Sequence, residues 1–352
     1  MERYSLNSLQ DFAEQLMIKA GLAAEEAAVF ADSLLKAEGR GVISHGLQSL
    51  STYAKRAELG LVAGGVRPAV EEDGGSILKL DGRNGQGAWI GSCAMDLCIE
   101  RAKERGSCFV TVENGNHFGY AAYFTERAAA EDMIGFAVTN STAFLPPTGG
   151  TRPMVGTNPI AVCIPAGRYR PLVLDMATSA VARGKIVLAK RNGKEIPLGW
   201  GLDSKGRPTT DPDEVLNGGT LLPMGGPKGY GLSLIIDILC SCLAGASAGT
   251  ALGSLYDYTR TQNAGYCFAA LNIGKIIDMG LFKGSVDAIF DEIKACPRAE
   301  GVSEIFVPGE IEYNNYERAL CEGLSISDAV LADLKKSGEH FGVPFPEPLE
   351  EA

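Results

Sequence analysis

The stretch from Ile77 to Val112 decides the fold class of this chain. It opens with Ile77-Leu78-Lys79-Leu80, a short apolar segment typical of a β-strand, and continues into a glycine-rich loop from Asp81 to Gly87. The spacing of apolar residues then predicts a helix over Ile90 to Arg105, and Cys108 to Val112 predicts a second strand. Strand, helix and strand in succession indicate an α/β or α+β domain.

The same alternation continues towards the carboxyl end. Further elements are predicted as a helix over Ala121 to Ala130, strands over Ile134 to Thr139, Pro159 to Ile164, Leu172 to Asp175 and Tyr266 to Leu271, and a turn-rich segment over Gly199 to Gly219. A helix is predicted over Gly229 to Ala244. Its apolar part is shorter than the ~20 residues that a membrane span needs and carries Asp237, so we interpret it as a buried core helix.

The two ends of the chain show a different residue pattern from this central part. Apolar residues fall at helical spacing from Leu6 to about Leu59, and a short helix is predicted over Ser325 to Ser337. Between them, Phe306 to Glu310 is predicted as a strand that ends in a turn. We therefore expect a discontinuous helical domain formed by residues 1–70 and 300–352. Residues 71–299 would form the α/β domain that binds cofactor and substrate.

Composition restricts the classes of partner. The 352 residues include 43 acidic and 32 basic side chains, a net charge of −11 that disfavours nonspecific binding to nucleic acid or to an anionic membrane. A small-molecule substrate fits this charge better. The nine cysteines form no Cys-x-x-Cys pair, which suits a reducing cytoplasm, and the first residues lack the pattern of a signal peptide.

The glycine loop does not match a Rossmann fingerprint. Gly82-Arg83-Asn84-Gly85-Gln86-Gly87 has the spacing G-x-x-G-x-G, whereas the dinucleotide-binding loop has G-x-G-x-x-G. A simple turn from strand to helix is the favoured interpretation of this segment.

Only three histidines occur in the chain, and two of them are flanked by polar residues and glycine. They lie in Ser44-His45-Gly46 and Asn116-His117-Phe118-Gly119, while His340 lies near the carboxyl end. Imidazole has an ordinary pKa of ~6.5 and so exchanges protons near neutral pH. Each motif alone is compatible with an ordinary hydrogen-bonded histidine. Two such motifs among three histidines favour a catalytic function.

Two further segments offer groups suited to a nucleotide. Asp175-Met176-Ala177-Thr178-Ser179 follows a predicted strand and supplies a carboxylate and small hydroxyls, although Asp175 or Thr178 could equally cap a helix. Lys228 precedes the predicted helix at Gly229, where free N–H groups would favour an anion, or it is a solvated lysine in a glycine-rich turn.

Taken in order, these segments resemble the malate/L-lactate dehydrogenase-like oxidoreductases, a family that includes ureidoglycolate dehydrogenase, diketogulonate reductase and cyclic imino acid reductases. The resemblance covers nearly the whole chain. The motifs that carry it are Ser44-His45-Gly46 with Tyr53, Asn116-His117-Phe118-Gly119, Gly156-Thr157-Asn158-Pro159, Asp175-Met176-Ala177-Thr178-Ser179, Lys228-Gly229-Tyr230-Gly231 and Val307-Pro308-Gly309-Glu310.

The resemblance implies a homodimeric oxidoreductase that uses NAD or NADP and acts on a 2-hydroxy or 2-oxo acid, or on a cyclic imino acid. It also implies a non-Rossmann cofactor-binding body with a mainly antiparallel or mixed sheet, which would explain the missing fingerprint. His45 would be the catalytic acid/base and His117 a second polar or proton-relaying group beside the nicotinamide. Substrate contacts would come from Ser44, Tyr53, Thr157 and Asn158. Cofactor contacts would come from Ser141, Asp175, Met176, Ala177, Thr178, Ser179, Ala180, Val181, Lys228, Gly309 and Glu310.

One position departs from the family pattern. Where the family commonly has S-H-G-x-x-R, this chain has Ser49, which cannot form a bidentate ion pair with a substrate carboxylate. Either Arg152, Arg56 or Arg40 supplies the missing charge, or the substrate has no carboxylate at that place.

Two other functions stay open at this point. The chain could be a metabolite-binding relative without turnover, or a metal-dependent hydrolase that uses the two histidines. No third ligand at zinc-binding spacing accompanies them in the sequence, so we expect no metal site.

Overall fold

A computed structural model describes residues 2–350. The strands of this part of the chain are β1 (Arg3–Tyr4), β2 (Ala69–Asp73), β3 (Ile77–Asp81), β4 (Ser107–Gly115), β5 (Met133–Thr139), β6 (Ile160–Ile164), β7 (Leu172–Met176), β8 (Gly201–Leu202), β9 (Thr220–Leu221), β10 (Ala264–Asn272) and β11 (Leu324–Ser325). The helices are α1 (Leu6–Lys19), α2 (Ala24–Gly39), α3 (Leu50–Glu58), α4 (Gly87–Arg105), α5 (Ala122–Ala130), α6 (Arg183–Arg191), α7 (Pro212–Leu216), α8 (Pro227–Ile238), α9 (Met279–Lys294), α10 (Glu310–Glu322) and α11 (Asp328–Phe341).

Seven strands form one mixed sheet in the order β2-β3-β4-β10-β5-β6-β7. Strands β3 and β4 pair in parallel, and the other neighbours in this sheet pair antiparallel. A parallel pair needs a crossover connection, which α4 provides here. The fold class predicted from the sequence, a non-Rossmann α/β body with a mixed sheet, is confirmed.

Helices cover both faces of the sheet near its centre. On one face, α4 and α5 bury an aromatic cluster in which the Phe118 ring stacks on Phe124 and Tyr266 with centroids 4.8 Å and 5.0 Å apart. On the other face, Ile236 of α8 and Cys240 pack against the sheet. Strand β10 is therefore buried between two layers, and it borders β4, which leads to His117.

The two chain ends contribute to a second core. Buried apolar residues of α1, α2 and α3 pack with Ile326, Leu334 and Val343, and β1 pairs antiparallel with β11. This packing is compatible with the predicted helical domain of residues 1–70 and 300–352. The division of the chain into that domain and residues 71–299 stays a prediction.

Three local predictions need correction. The segment Phe306 to Glu310 is not a strand, since Pro308 lacks an N–H and Gly309, with φ +92°, turns the chain directly into α10. The carboxyl-terminal helix begins at Asp328 rather than Ser325, because Leu324 and Ser325 form β11.

The helix predicted over Gly229 to Ala244 is α8, which begins at Pro227, followed by a π-helical segment, Leu239–Leu243. It is not wholly buried as predicted. Only one of its faces packs on the sheet, and the opposite face exposes 58% of Ile235, 48% of Ile238 and 55% of Leu243.

Within residues 2–350, no helix combines the length and the hydrophobicity needed to cross a bilayer.

Replacing Phe268 by alanine tests the central core. Phe268 is fully buried in β10 with its ring centroid 5.2 Å from that of Phe124. We expect Phe268→Ala to lower the free energy of unfolding by about 3–5 kcal/mol, measured by denaturant titration with tryptophan fluorescence. The control is Phe306→Ala, since Phe306 is 40% exposed and should change stability by about 0.5 kcal/mol or less. Equal effects of the two substitutions would contradict this assignment of the core.

Candidate active site

The fold brings His45 and His117 together although 71 residues separate them in sequence. Their rings stack with centroids 5.6 Å apart and an interplanar angle of 21°. His45 ends a short 3-10 turn, Ile43–His45, after α2, and His117 lies in the loop that follows β4. The pair therefore lies where the helices of the amino-terminal end meet the carboxyl end of a sheet strand.

The loop that carries His117 is held from several sides. The backbone N–H of His117 donates to Gln262 Oε1 at 2.9 Å, and the Asn116 amide donates to backbone and side-chain oxygens of Asn84 and to the Gly85 carbonyl, each at 3.0 Å. A Cβ on Gly87 would lie 2.4 Å from the carbonyl oxygens of Asn116 and His117. The loop of Gly82 to Gly87 is thus a strand-to-helix turn, as predicted. Because Gly87 has no side chain, the His117 loop can pack against this turn.

His45 is positioned by a similar close approach. The Glu38 carboxylate accepts a hydrogen bond from the Leu47 N–H at 2.8 Å, and burial raises the pKa of Glu38. A Cβ on Gly46 would lie 2.0 Å from Glu38 Oε2. Glycine after His45 therefore allows the chain to turn tightly over this carboxylate. On the other side of His45, the Ser44 hydroxyl lies 2.8 Å from His45 Nδ1.

Tyr53 connects α3 to the histidine pair. Its hydroxyl hydrogen-bonds to His117 Nδ1, and its ring centroid lies 5.8 Å from that of His117. The Gly119 N–H also points at His117 Nδ1, at 3.3 Å. The predicted residues Ser44, His45, Tyr53 and His117 are thus adjacent in space.

Both imidazoles are only partly covered, yet the surrounding protein disfavours their charged forms. Desolvation by burial lowers the pKa of His45 to about 4. Burial, together with repulsion from His45, lowers the pKa of His117 to about 3. At neutral pH the pair is uncharged, so each ring can accept or donate a hydrogen bond at the cleft without bringing a formal charge.

A second polar cluster joins β5, β6, β7 and α8. The Asn158 amide accepts from the Ser141 N–H and donates to the Ser233 carbonyl, both at 2.9 Å, and the Ser141 hydroxyl accepts from the Thr157 N–H at 3.0 Å. The Thr178 hydroxyl donates to the Thr157 carbonyl at 2.9 Å. Asn158 is fully buried with both ends of its amide engaged, so it holds the cluster together and offers no free group to a ligand.

The two clusters adjoin. The Gly253 carbonyl accepts from Gln262 Nε2 at 3.4 Å and from the Thr142 hydroxyl at 3.5 Å. Because Gln262 also binds the His117 backbone, the loop at Gly253 lies between the histidine loop and Ser141.

The segment from Asp175 to Val181, for which the resemblance implies cofactor contacts, lies across this region. The Asp175 carboxylate accepts from the Ala122 N–H at 2.8 Å, so Asp175 caps α5, the helix after the His117 loop, and not a helix of its own. Met176 ends β7, and Ala177 and Thr178 follow it. The Ser179 hydroxyl donates to the Val181 carbonyl, and the Ala180 N–H donates to the Leu222 carbonyl.

Just beyond the run, α6 begins beside Ser44. A Cβ on Gly184 would lie 4.0 Å from the Ser44 Cβ. The segment from Asp175 to Gly184 therefore contacts the start of α5 at one end and lies beside Ser44, the neighbour of His45, at the other.

Lys228 lies in the first turn of α8, close to this run. The Met224 N–H donates to the Thr178 carbonyl at 2.9 Å, and a Cβ on Gly229 would lie 2.8 Å from that carbonyl. Within residues 2–350, Lys228 has no ion-pair partner, and a Cβ on Gly226 would meet no heavy atom within 4 Å. A cation and the amino terminus of a twelve-residue helix thus border open space.

Gly309 and Glu310 lie beside β7. The Val173 N–H donates to the Pro308 carbonyl at 3.0 Å, and a Cβ on Gly309 would lie 2.8 Å from the Val173 Cβ. The Glu310 carboxylate is engaged by Lys294 at 2.7 Å and by the Val307 N–H at 3.0 Å. Its visible role is to hold the turn that starts α10.

The cations that were candidates to replace the family arginine are differently placed. Arg40 is buried, ion-paired with Glu126 at 2.6 Å and packed on the Tyr313 ring, and Arg56 is buried and donates to backbone carbonyls. Because both side chains are buried, neither presents its guanidinium at an open cleft to a substrate. Arg152 lies exposed in the loop before Met154.

Sequence analysis missed Arg183, the first residue of α6. Its guanidinium lies 5.0 Å from the Phe144 ring centroid, and its neighbour Gly184 approaches Ser44. The available signal was a cation next to a glycine directly after the Asp175 to Val181 run. Periodicity did not predict α6, because its apolar residues, Ile186 to Ala189, are consecutive and not at helical spacing, and only Ile186 is buried.

The part of the chain that the structure describes contains no group of three or more His, Cys, Asp or Glu side chains arranged to hold a metal ion.

Comparison with known proteins places the chain in a family. The sequence model of the malate/L-lactate dehydrogenase family matches residues 4–335. The malate dehydrogenase of Pyrococcus abyssi is 38% identical over 354 residues, which cover 97% of this chain and 95% of that protein.

Solved structures agree with this assignment. The sulfolactate dehydrogenase of Methanocaldococcus jannaschii superposes with a TM-score of 0.91 at 36% identity over 98% of both chains. The malate dehydrogenase of Entamoeba histolytica does so with a TM-score of 0.94 at 30% identity, covering 98% of this chain and 99% of that one.

The chain belongs to the malate/L-lactate dehydrogenase family. It is accordingly an NAD(P)-dependent oxidoreductase that transfers a hydride between the nicotinamide and a small acid. The resemblance found in the sequence is confirmed.

The lowered pKa values of the histidine pair predict how stability depends on pH. Unfolded histidine has a pKa of ~6.5, above the folded values, so unfolding takes up protons between about pH 4 and 6.5. The contribution of the pair to the free energy of unfolding is full above about pH 6.5 and decreases as the pH falls towards 4. Urea titrations at pH 7 and pH 5 should therefore show a larger loss of stability in the natural chain than in the His45→Gln, His117→Gln double variant.

His340→Gln serves as the control, because His340 lies at the surface against Glu58. It should retain the pH dependence of the natural chain. If the double variant retained it equally well, the histidine pair would not be neutral in the folded protein.

Proposed function

We propose that the cleft around the stacked histidine pair is the active site of a dehydrogenase or reductase for a small 2-hydroxy or 2-oxo acid, with His45 as the acid/base. The observation that carries this proposal is the segment from Asp175 to Gly184, which binds the start of α5, the helix after the His117 loop, and ends beside Ser44. A cofactor bound along this segment would lie next to both imidazoles.

The residues present fit a nicotinamide dinucleotide. Lys228 and the α8 amino terminus border open space and suit the diphosphate, while Ser141 and the run Asp175, Met176, Ala177, Thr178, Ser179, Ala180 and Val181 form the floor beside it. Gly309 and Glu310 lie farther along β7 and would border the same cofactor. The cofactor supplies the hydride acceptor or donor, and the protein supplies alignment and proton transfer.

The neutral state of His45 defines its task. In the oxidation of a 2-hydroxy acid, a neutral imidazole accepts the hydroxyl proton as the carbonyl forms, and in the reverse direction it returns that proton to the oxygen. The Ser44 hydroxyl, 2.8 Å from Nδ1, orients the ring. His117, stacked on His45, would contact the same oxygen, and Tyr53 and Thr157 would border the substrate. We assign Asn158 to positioning, because it is fully buried.

Arg183 supplies the charge that Ser49 lacks. Arg40 and Arg56 are engaged by Glu126 and by backbone carbonyls, whereas Arg183 begins the helix that lies against Ser44. A guanidinium there favours a substrate with a carboxylate next to the reacting carbon. The malate dehydrogenase and sulfolactate dehydrogenase relatives are named for 2-hydroxy acids with a second anionic group, and Lys185 on the same helix turn would suit such a group.

A homodimer would cover the exposed ridge of α8. Ile235, Ile238 and Leu243 form an apolar face on this helix and its π-helical extension, outside the core of one chain. We propose that a second copy packs on this ridge and that the enzyme acts in the cytoplasm.

Replacement of His45 tests the acid/base role. We expect His45→Ala to reduce kcat by ~10²-fold or more while leaving the Kd for NADH or NADPH nearly unchanged, because the imidazole moves the proton and does not hold the cofactor. Turnover would be followed by nicotinamide absorbance with a panel of 2-oxo acids, ureidoglycolate and cyclic imino acids. His340→Ala is the control. If His45→Ala turned over nearly as fast as the natural chain, His45 would not be the acid/base. If the natural chain bound neither NADH nor NADPH, the proposed function would be refuted.

Replacement of Arg183 tests substrate anchoring. We expect Arg183→Gln to raise KM for the 2-oxo acid by about 10-fold or more with little change in cofactor affinity, since a charge-assisted hydrogen bond contributes about 1.5–3 kcal/mol. Lys190→Gln is the matched control, because Lys190 lies in the last turn of the same helix and pairs with Asp213. Equal KM values for the two variants would mean that another group binds the carboxylate.

A further inference from the structure

A small cavity, lined by both polar and apolar side chains, lies between α3 and the loop of His117. Its volume is about 10 Å³, which is the space of one water-sized sphere. The polar side chains that line it are Tyr53, Arg56, Gln86, Asn116, His117 and Gln262, with a few apolar side chains between them. A cavity of this size can hold one water molecule and nothing larger.

Two of the residues that line this cavity each have a buried polar atom without a hydrogen-bond partner. Arg56, which is fully buried, donates from its two terminal nitrogens to the carbonyls of Ser254, Asp257 and Arg260, which leaves the Nε–H. Asn116, only 3% exposed, uses both amide hydrogens on the loop at Asn84 and Gly85, which leaves Oδ1. Neither atom finds a hydrogen-bond partner within residues 2–350.

The two atoms have opposite requirements. Arg56 Nε–H needs an acceptor, and Asn116 Oδ1 needs a donor. Leaving a buried polar atom unsatisfied costs about 1–3 kcal/mol, and more if it is charged. One water molecule can accept from the guanidinium and donate to the amide oxygen, and it retains a second hydrogen for another acceptor.

Tyr53 supplies that acceptor. A backbone N–H can only donate, so the 3.3 Å contact from the Gly119 N–H favours His117 Nδ1 as an acceptor that carries no hydrogen. In that tautomer the Tyr53 hydroxyl donates its hydrogen to Nδ1 and keeps its oxygen lone pairs for another donor. With Nδ1 unprotonated, a neutral His117 carries its hydrogen on Nε2.

We propose that this cavity binds one water molecule, held by Arg56 Nε, Asn116 Oδ1 and the Tyr53 hydroxyl oxygen, and that the water orients Tyr53 so that His117 is held as its Nε2–H tautomer. The ligand is water, and Arg56, Asn116 and Tyr53 are positioning residues. Burial of His117, which lowers its pKa to about 3, keeps the ring neutral, so the tautomer is set by these hydrogen bonds alone.

This inference deepens the proposed function and rests on it for its catalytic meaning. A neutral imidazole with its hydrogen on Nε2 donates a hydrogen bond to the substrate oxygen as charge develops there, without losing the proton itself. His45 then moves the proton, and the two histidines have different tasks although their rings are stacked.

The water and the tautomer can both be observed without any turnover. In a high-resolution crystal structure of the full-length chain, we expect a water about 2.7–3.2 Å from both Arg56 Nε and Asn116 Oδ1. In ¹⁵N spectra of the histidine-labelled chain, assigned with His45→Gln and His340→Gln, His117 should show the Nε2–H pattern from pH 6 to 8. A dry cavity, or a hydrogen on His117 Nδ1, overturns the proposal, whereas an inactive protein with both features would overturn only the proposed function.

Variants separate this positioning role from a merely structural one. Tyr53→Phe should give a mixture of His117 tautomers and lower kcat by about tenfold, the loss expected for one hydrogen bond, with a smaller change in KM. Tyr169→Phe is the matched control, because it removes a surface hydroxyl that donates to Asp291 at 2.7 Å, and it should leave both readouts unchanged.

Arg56→Lys keeps a cation on α3 but has no N–H at the Nε position, so the water and the single tautomer should both be lost. If this variant does not fold, the natural chain and Tyr53→Phe still decide the matter. An unchanged single tautomer in Tyr53→Phe would show that the Tyr53 hydroxyl does not control His117.

Discussion

The hydrogen bond from the Tyr53 hydroxyl to His117 Nδ1 joins two separate cores, and the candidate active site depends on that junction. Tyr53 belongs to α3, whose buried face packs with the other helices of the chain ends, while His117 follows a central strand of the sheet. Neither core contains the site alone. His45 also belongs to the amino-terminal helices, since it follows α2. The stacked pair therefore forms only when these helices are packed against the end of β4.

Two glycines, Gly46 and Gly87, allow the elements at this junction to pack closely. Gly46 lies against the Glu38 carboxylate and Gly87 against the carbonyls of the His117 loop, at distances that no Cβ tolerates. Close packing at these glycines covers part of both imidazoles, and this desolvation disfavours their protonated forms. The lowered pKa values of the histidines are therefore a consequence of backbone packing, and a larger residue at Gly46 or Gly87 would disturb geometry and proton affinity together.

Regular patterns could be recognised from sequence because they report local physics. The strand, helix and strand from Ile77 to Val112 follow from apolar periodicity, and the two histidines stood out because the chain has so few. Features that depend on a distant partner could not be predicted in this way. Pro308 and Gly309 interrupt what looks like a strand, and the apolar residues of α6 are consecutive, so they show no helical periodicity. The ion pair of Arg40 with Glu126 and the hydrogen bond of Arg56 to the Asp257 carbonyl likewise join residues that are far apart in sequence, so local patterns do not predict them.

The serine at position 49 has a physical logic within this arrangement. Ser49 is buried at the start of α3, two turns from the fully buried guanidinium of Arg56. A second guanidinium at this buried position would have to lose its hydration as well, at a large cost in free energy. The proposed anchor Arg183 instead begins α6 and is partly exposed, so desolvation of its charge costs less. In a chain of net charge −11, such a local cation would also attract an anionic acid that the protein as a whole repels. With the cation on α6 and not on α3, the proposed site would bind the carboxylate from one helix while the histidine pair handles the proton.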